Sequence, residues 1–129
     1  MNPPVARIES LSAVTLTVSD IARSVRFYEA LGFEHKAGPA IAGFASFVLG
    51  GGGSGAAACY LNLLEGPLGK VDGWGRAIFY VSDVDAFYEH ALAEGITPAF
   101  APRDAPWGER YFHLADPDGH ELSFARPLA

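Results

Sequence analysis

The chain is poor in cysteine, in basic charge and in long apolar runs, and each shortage excludes something. Cys59 is the single cysteine among 129 residues, so no internal disulfide can form. Flanked by Ala58 and Tyr60, it reads as a strand position and not as a reactive thiol, and a reducing cytoplasm is the expected setting. Arg7 and Glu9 interrupt the amino terminus, and every apolar run falls well short of the about 20 residues that cross a bilayer. Neither a signal peptide nor a membrane span is expected. Nine Lys and Arg face fifteen Asp and Glu, a net charge of -6 that opposes a polyphosphate partner. Nucleic acid is therefore set aside, while a cationic small molecule or a metal ion suits the same field. The length fits one domain, residues 1–129, able to bury roughly two-thirds of the surface its unfolded chain would expose.

What the chain does have is a repetition. Val18-Ser19-Asp20 leading to Phe27-Tyr28-Glu29 returns as Val81-Ser82-Asp83 leading to Phe87-Tyr88-Glu89, offset by 63 and then 60 residues. In each copy a β-branched, apolar run ends at Ser-Asp, and an amphipathic stretch follows, closed by Gly32 or by Gly95. This is strand, helix cap, helix and stop, written twice. The copies are too long for a solenoid repeat and too short for independent domains, so one shared core is expected, with a site where the halves meet.

The first half, about residues 8–65, opens on the alternating strand Leu11 to Val18, with Ala13, Thr15 and Thr17 on one face. Asp20 caps a helix whose Ile21, Val25, Tyr28 and Leu31 fall at helical spacing. Two short strands around Gly38-Pro39 come next, then a Gly50 to Gly55 hairpin tip that could serve as a lid, and the strand Ala58 to Leu64. After a linker the second half, about 75–127, repeats the plan. It has a strand Arg76 to Val81, a helix from Asp83 to about Glu94, an edge strand Thr97 to Ala101 marked by Pro98 and Pro102, and strands Glu109 to Leu114 and His120 to Ala125. Asp116-Pro117-Asp118-Gly119 between the last two is read as turn chemistry alone. His35, His90 and His120 fall at helix ends, on a helix surface or in a turn, where solvated imidazoles are ordinary.

The stretches LSAVTLTVSD with SVRFYEALGF, RAIFYVSDVDAFYEHALAEG and PWGERYFHLADPDGHELSFARPL resemble the vicinal oxygen chelate superfamily of glyoxalases, bleomycin-resistance proteins and dioxygenases. The resemblance covers about residues 8–127. It implies an α+β fold of two βαβββ modules forming a curved eight-stranded mixed sheet around a cleft, commonly completed in a homodimer. It also implies four slots where enzymes of the superfamily hold one divalent metal. Here those slots carry Ala13, Arg76, Ser123, and Tyr60 or Asn62, none a good ligand for a catalytic ion. His113 and Glu121 are the nearest substitutes, two donors without a third.

No catalytic residue and no cofactor is therefore assigned. Strand parity instead predicts a cleft lined by Ala13, Thr15, Thr17, Tyr60, Asn62, Arg76, Ile78, Tyr80, Glu121 and Ser123, with Phe47, Trp74 and Trp107 as neighbours and His113, the one histidine on a strand, as a further candidate for ligand contact. Rings with a few polar handles suit a planar or cationic molecule, with Arg76 or Glu121 fixing one end. Plain core packing is the commoner fate of such rings, and Arg76 could equally pair with Glu121. Trp107 stands apart, since Pro106-Trp107-Gly108 makes no obvious core demand. The expected function is metal-independent binding or sequestration of a small aromatic or cationic, antibiotic-like molecule by a homodimer. The alternative is a lyase, isomerase or dioxygenase whose metal is held by His113, Glu121 and a ligand from a partner chain.

Overall fold

A computed structural model describes residues 6–36, 40–50, 58–71 and 73–129. The expected features at Gly38-Pro39 and over most of the Gly50 to Gly55 tip lie outside them. The first module runs β1 (Ala13–Val18), α1 (Ile21–Leu31), β2 (Glu34–His35), β3 (Phe44–Leu49) and β4 (Cys59–Glu65). The second runs β5 (Ala77–Tyr80), α2 (Val84–Ala93), β6 (Arg103–Asp104), β7 (Glu109–Ala115) and β8 (Glu121–Pro127). The strands divide into two sheets, ordered β1-β4-β3-β2 and β5-β8-β7-β6, with the first pair of each parallel and the others antiparallel. This is the α+β arrangement of two βαβββ modules.

The helix ends follow from local chemistry. The side chain of Asp20 accepts from the Arg23 amide at 3.1 Å, and that of Asp83 from the Ala86 amide at 3.0 Å. Gly32 ends α1 at φ 107°, where its own N–H and that of Phe33 close onto Glu29 and Tyr28 carbonyls. Gly95 follows α2 at φ 79°. Both values lie where a side chain on Cα would be strained.

Alternation then decides which face each strand buries. Leu16, Val18, Ala45, Phe47, Leu61 and Leu63 of the first sheet join Phe112, Leu114, Leu122 and Phe124 of the second in one buried cluster with both helices. Phe33, just past α1, touches Phe79 at 5.1 Å and Phe124 at 6.3 Å between ring centres, so rings from both modules interdigitate.

Four expectations are corrected by the structure. Residues Thr97 to Ala101 form no strand. Pro98 and Pro102 have no amide to donate, the segment makes one ladder-like bond from Ala99 N–H to the His113 carbonyl at 2.8 Å, and pairing passes to Arg103 and Asp104 against Tyr111 and Arg110. Phe47 is no cleft neighbour. It lies on the core face, fully buried between Tyr28 and Phe33, with His35 tilted over it at 5.2 Å. His120 is not solvated, because its ring is buried with Nε2 2.7 Å from the Thr17 carbonyl, across the junction of the modules. The Asp116 to Gly119 segment is a turn, but also a clamp. Asp116 accepts from Tyr28 Oη at 2.8 Å and from the His120 amide at 2.8 Å, while Asp118 takes Ser19 Oγ at 2.5 Å and Arg23 Nη2 at 3.0 Å. Burial pushes the Tyr28 phenol well above the usual tyrosine range, and Asp116 adds to it, so it remains a donor.

Candidate functional site

The face of each sheet turned away from the core carries the candidate residues. In the first module the register sets Ala13 opposite Tyr60 and Thr15 opposite Asn62, with Ser46 opposite Asn62 on the other side. Ser46 Oγ bonds Asn62 Oδ1 at 2.7 Å, and Asn62 Nδ2 reaches Thr15 Oγ1 at 3.4 Å. Lys36 lies over the Tyr60 ring at 4.9 Å. Above this face opens a cavity of about 700 Å3, lined by first-module residues that include Ser12, Ala13, Lys36, Phe44, Ser46, Tyr60 and Asn62. It is a space with polar handles and little charge.

The matching face of the second module is crowded and charged. Ile78 lies opposite Ser123, which in turn lies opposite His113. Glu121 sits between two bases, with Arg76 Nη2 at 3.1 Å and His113 Nδ1 at 2.8 Å. Burial lowers the pKa of His113, and the guanidinium of Arg76 lowers it further despite the carboxylate beside it. His113 thus favours the neutral imidazole. Beyond it a chain of rings continues: Phe100 at 5.1 Å and Tyr111 at 5.2 Å from His113, then Trp107 at 5.4 Å from Tyr111. Arg103 stacks on Phe100 at 3.7 Å and donates to Tyr111 Oη at 3.2 Å.

Of the sequence-predicted residues, Arg76, His113, Glu121 and Ser123 come together on this face, with Trp107 farther along it. Tyr60 and Asn62 share the other module's face. Among the described residues no hydrogen bond, ion pair or ring contact joins the two groups within the chain. Trp74 joins neither, packing edge-on to His120 at 6.0 Å. The sequence reading missed Glu109, whose carboxylate accepts from Tyr80 Oη and from Trp107 Nε1, the latter at 2.9 Å. Tyr80 reaches it across β8, which lies between β5 and β7. The signal was present, because alternation along β7 places Glu109, Tyr111 and His113 on one face.

The profile of the Glyoxalase/Bleomycin resistance protein/Dioxygenase superfamily matches residues 10–124, and the chain belongs to that superfamily. A putative glyoxalase family protein from Bacillus anthracis shares the fold with TM-score 0.77 at 18% identity, over 96% of this chain and 99% of that one. A bleomycin-binding protein solved with bleomycin has TM-score 0.70 at 24% identity, over 92% and 98%. An uncharacterized protein of Mycobacterium bovis is 46% identical over 48 residues, 37% of this chain and 32% of that one. The match thus spans about a third of that relative's length.

The donor set does not fit the divalent ion that parts of the superfamily hold. Ala13 has no donor, Arg76 is a cation already paired to Glu121, and Ser123 and Asn62 offer neutral oxygens within strand-to-strand contacts. Among the described residues no three of His, Cys, Asp and Glu are grouped as metal ligands would be. Nor is any helix long and apolar enough to cross a membrane.

Proposed function

We propose that the chain binds and sequesters a small aromatic or cationic organic molecule, antibiotic-like in size, on these two faces and without a metal. The observation that carries this is the second-module face. Tyr80 and Ile78 on β5 and Trp107 in the turn before β7 stay 63%, 60% and 65% exposed, beside polar groups already oriented by one another. An exposed apolar patch with preset polar handles marks a binding surface. The bleomycin bound by one fold neighbour supports a ligand of this kind. A homodimer that sets the first-module cavity of one copy against the ring-lined face of the other would cover that patch and enclose the ligand. The lone cysteine agrees with a cytoplasmic setting. Trp74 and Trp107 are the chain's only tryptophans, so a Trp74→Phe variant reports from Trp107 alone. Titrated with bleomycin-like compounds or planar aromatic cations, it should give a saturable emission change, and a flat response across that panel would refute sequestration.

One observation favours a metal-dependent lyase, isomerase or dioxygenase instead. His113 and Glu121 lie within 2.8 Å on one strand pair and could be completed by a ligand from a partner chain. Stoichiometric zinc, nickel, manganese or iron in protein purified without chelator would decide for that reading.

A further inference from the structure

Glu109 differs from the other carboxylate of its face. Glu121 is paired with the Arg76 guanidinium and lies 2.8 Å from His113 Nδ1, whereas among the described residues Glu109 makes no ion pair. Its two partners are the neutral donors Tyr80 Oη and Trp107 Nε1. Those bonds fix the carboxylate without cancelling its charge, and they turn two large rings beside it, with Tyr111 tilted 39° against Trp107 as a third. The neighbouring Arg103 is occupied elsewhere, stacked on Phe100 and bonded to Tyr111 Oη. A carboxylate held at the edges of exposed rings, partly open to solvent and without a cation among the described residues, can pair with an alkylated ammonium group that lies against the neighbouring ring faces. Such a group is weakly hydrated and needs no directed hydrogen bond, which suits a carboxylate already engaged by two donors. A primary ammonium or guanidinium would have to compete with Tyr80 and Trp107 for the same oxygens.

We infer that Glu109 with Trp107, Tyr80 and Tyr111 forms a subsite for a substituted ammonium group. This rests on the binding role proposed above and adds which end of a ligand lies here. Choline and its uncharged carbon isostere 3,3-dimethylbutan-1-ol are the probes, read by Trp107 emission in the Trp74→Phe protein. An uncharged planar aromatic, followed by calorimetry, reports on the face as a whole. Choline should bind at least about tenfold more tightly than the isostere, and Glu109→Gln should remove that preference by lowering choline to the level of the isostere. Tyr80→Phe, which keeps the carboxylate and loses one of its donors, should weaken choline less than Glu109→Gln does. Equal binding of choline and isostere, or choline binding unchanged in Glu109→Gln, overturns the subsite even if the aromatic binds. Binding of no probe overturns the subsite and the binding role together. If Glu109→Gln instead turns a dimer into a monomer and leaves choline binding untouched, the carboxylate serves a second copy of the chain and the inference falls.

Discussion

The two modules are built on one register and filled with different side chains. Ala13 faces Tyr60 where the second module sets Arg76 beside Glu121, the Thr15, Asn62 and Ser46 row corresponds to Ile78, Ser123 and His113, and Thr17 corresponds to Tyr80. One face carries Lys36 as its cation among mostly uncharged side chains and opens into a cavity, and the other is aromatic, more highly charged and projecting. The difference teaches where constraint lies in such a fold. Caps, stops and inward apolar rows repeat because each serves the shared core, whereas the outward rows carry less packing duty and were free to diverge.

The comparison breaks most visibly if the core is not shared. Phe47 and Phe124 are both fully buried, one in each module, and replacing either by Ala should cost about 3–5 kcal/mol. In either variant thermal or urea unfolding should remain a single transition, and two separate transitions would mean that the modules fold independently.

A smaller effect tests whether the helix stops are equivalent. Gly32→Val and Gly95→Val should each cost about 1–3 kcal/mol, because φ of 107° and 79° strains a β-branched side chain while nothing lies within 4 Å of the added Cβ. His90→Ala should lose less, about 1 kcal/mol, for the bond its Nε2 makes to the Ala30 carbonyl at 2.7 Å. Equal melting points for all three variants would contradict this account of the helix ends.

The two repeat-related tyrosines sharpen the comparison further. Tyr28→Phe leaves the buried Asp116 short of a donor and should cost about 1–2 kcal/mol. Tyr88 packs edge-on to Phe112 through its ring, and among the described residues its hydroxyl has no protein partner, so Tyr88→Phe should stay within about 0.5 kcal/mol. Denaturant midpoints of the two variants should differ accordingly.

The least disruptive test is by pH. Folded His113 resists protonation through burial and Arg76, while the unfolded chain takes up that proton near the ordinary value of about 6.5. Its contribution is therefore fully present above that pH and is lost as the pH falls toward the lower folded value. In an NMR titration the His113 ring should titrate below ordinary histidines, and Arg76→Gln should shift it upward. An unmoved titration would remove Arg76 from its electrostatic environment.

Much of the frame was legible in the sequence, for reasons that stay local. Asp20 and Asp83 reveal helix starts because a cap bonds three residues ahead, and the alternation of β1 and β4 sorted Ala13, Tyr60 and Asn62 onto one face because successive side chains oppose each other. The Arg76 to Glu121 pair was anticipated from that parity. The same rule failed for Phe47, since alternation names two faces without saying which one the helix covers. It failed for Thr97 to Ala101 because an extended, proline-bounded run satisfies strand propensity while lacking the amides a ladder requires.

By itself the sequence determined two copies of strand, capped helix, glycine stop and three further strands, because each signal acts within a few residues through backbone hydrogen bonds, φ and burial period. Only the tertiary structure decided that a four-residue turn would clamp the modules, for Asp116 meets Tyr28 and Asp118 meets Ser19 across separations of 88 and 99 residues. It alone placed Tyr80 and Trp107 on Glu109, a grouping that depends on the strand order setting β8 between β5 and β7. Local patterns specify elements, but the partners of a buried or charged group come from how elements dock, and no short-range rule encodes that.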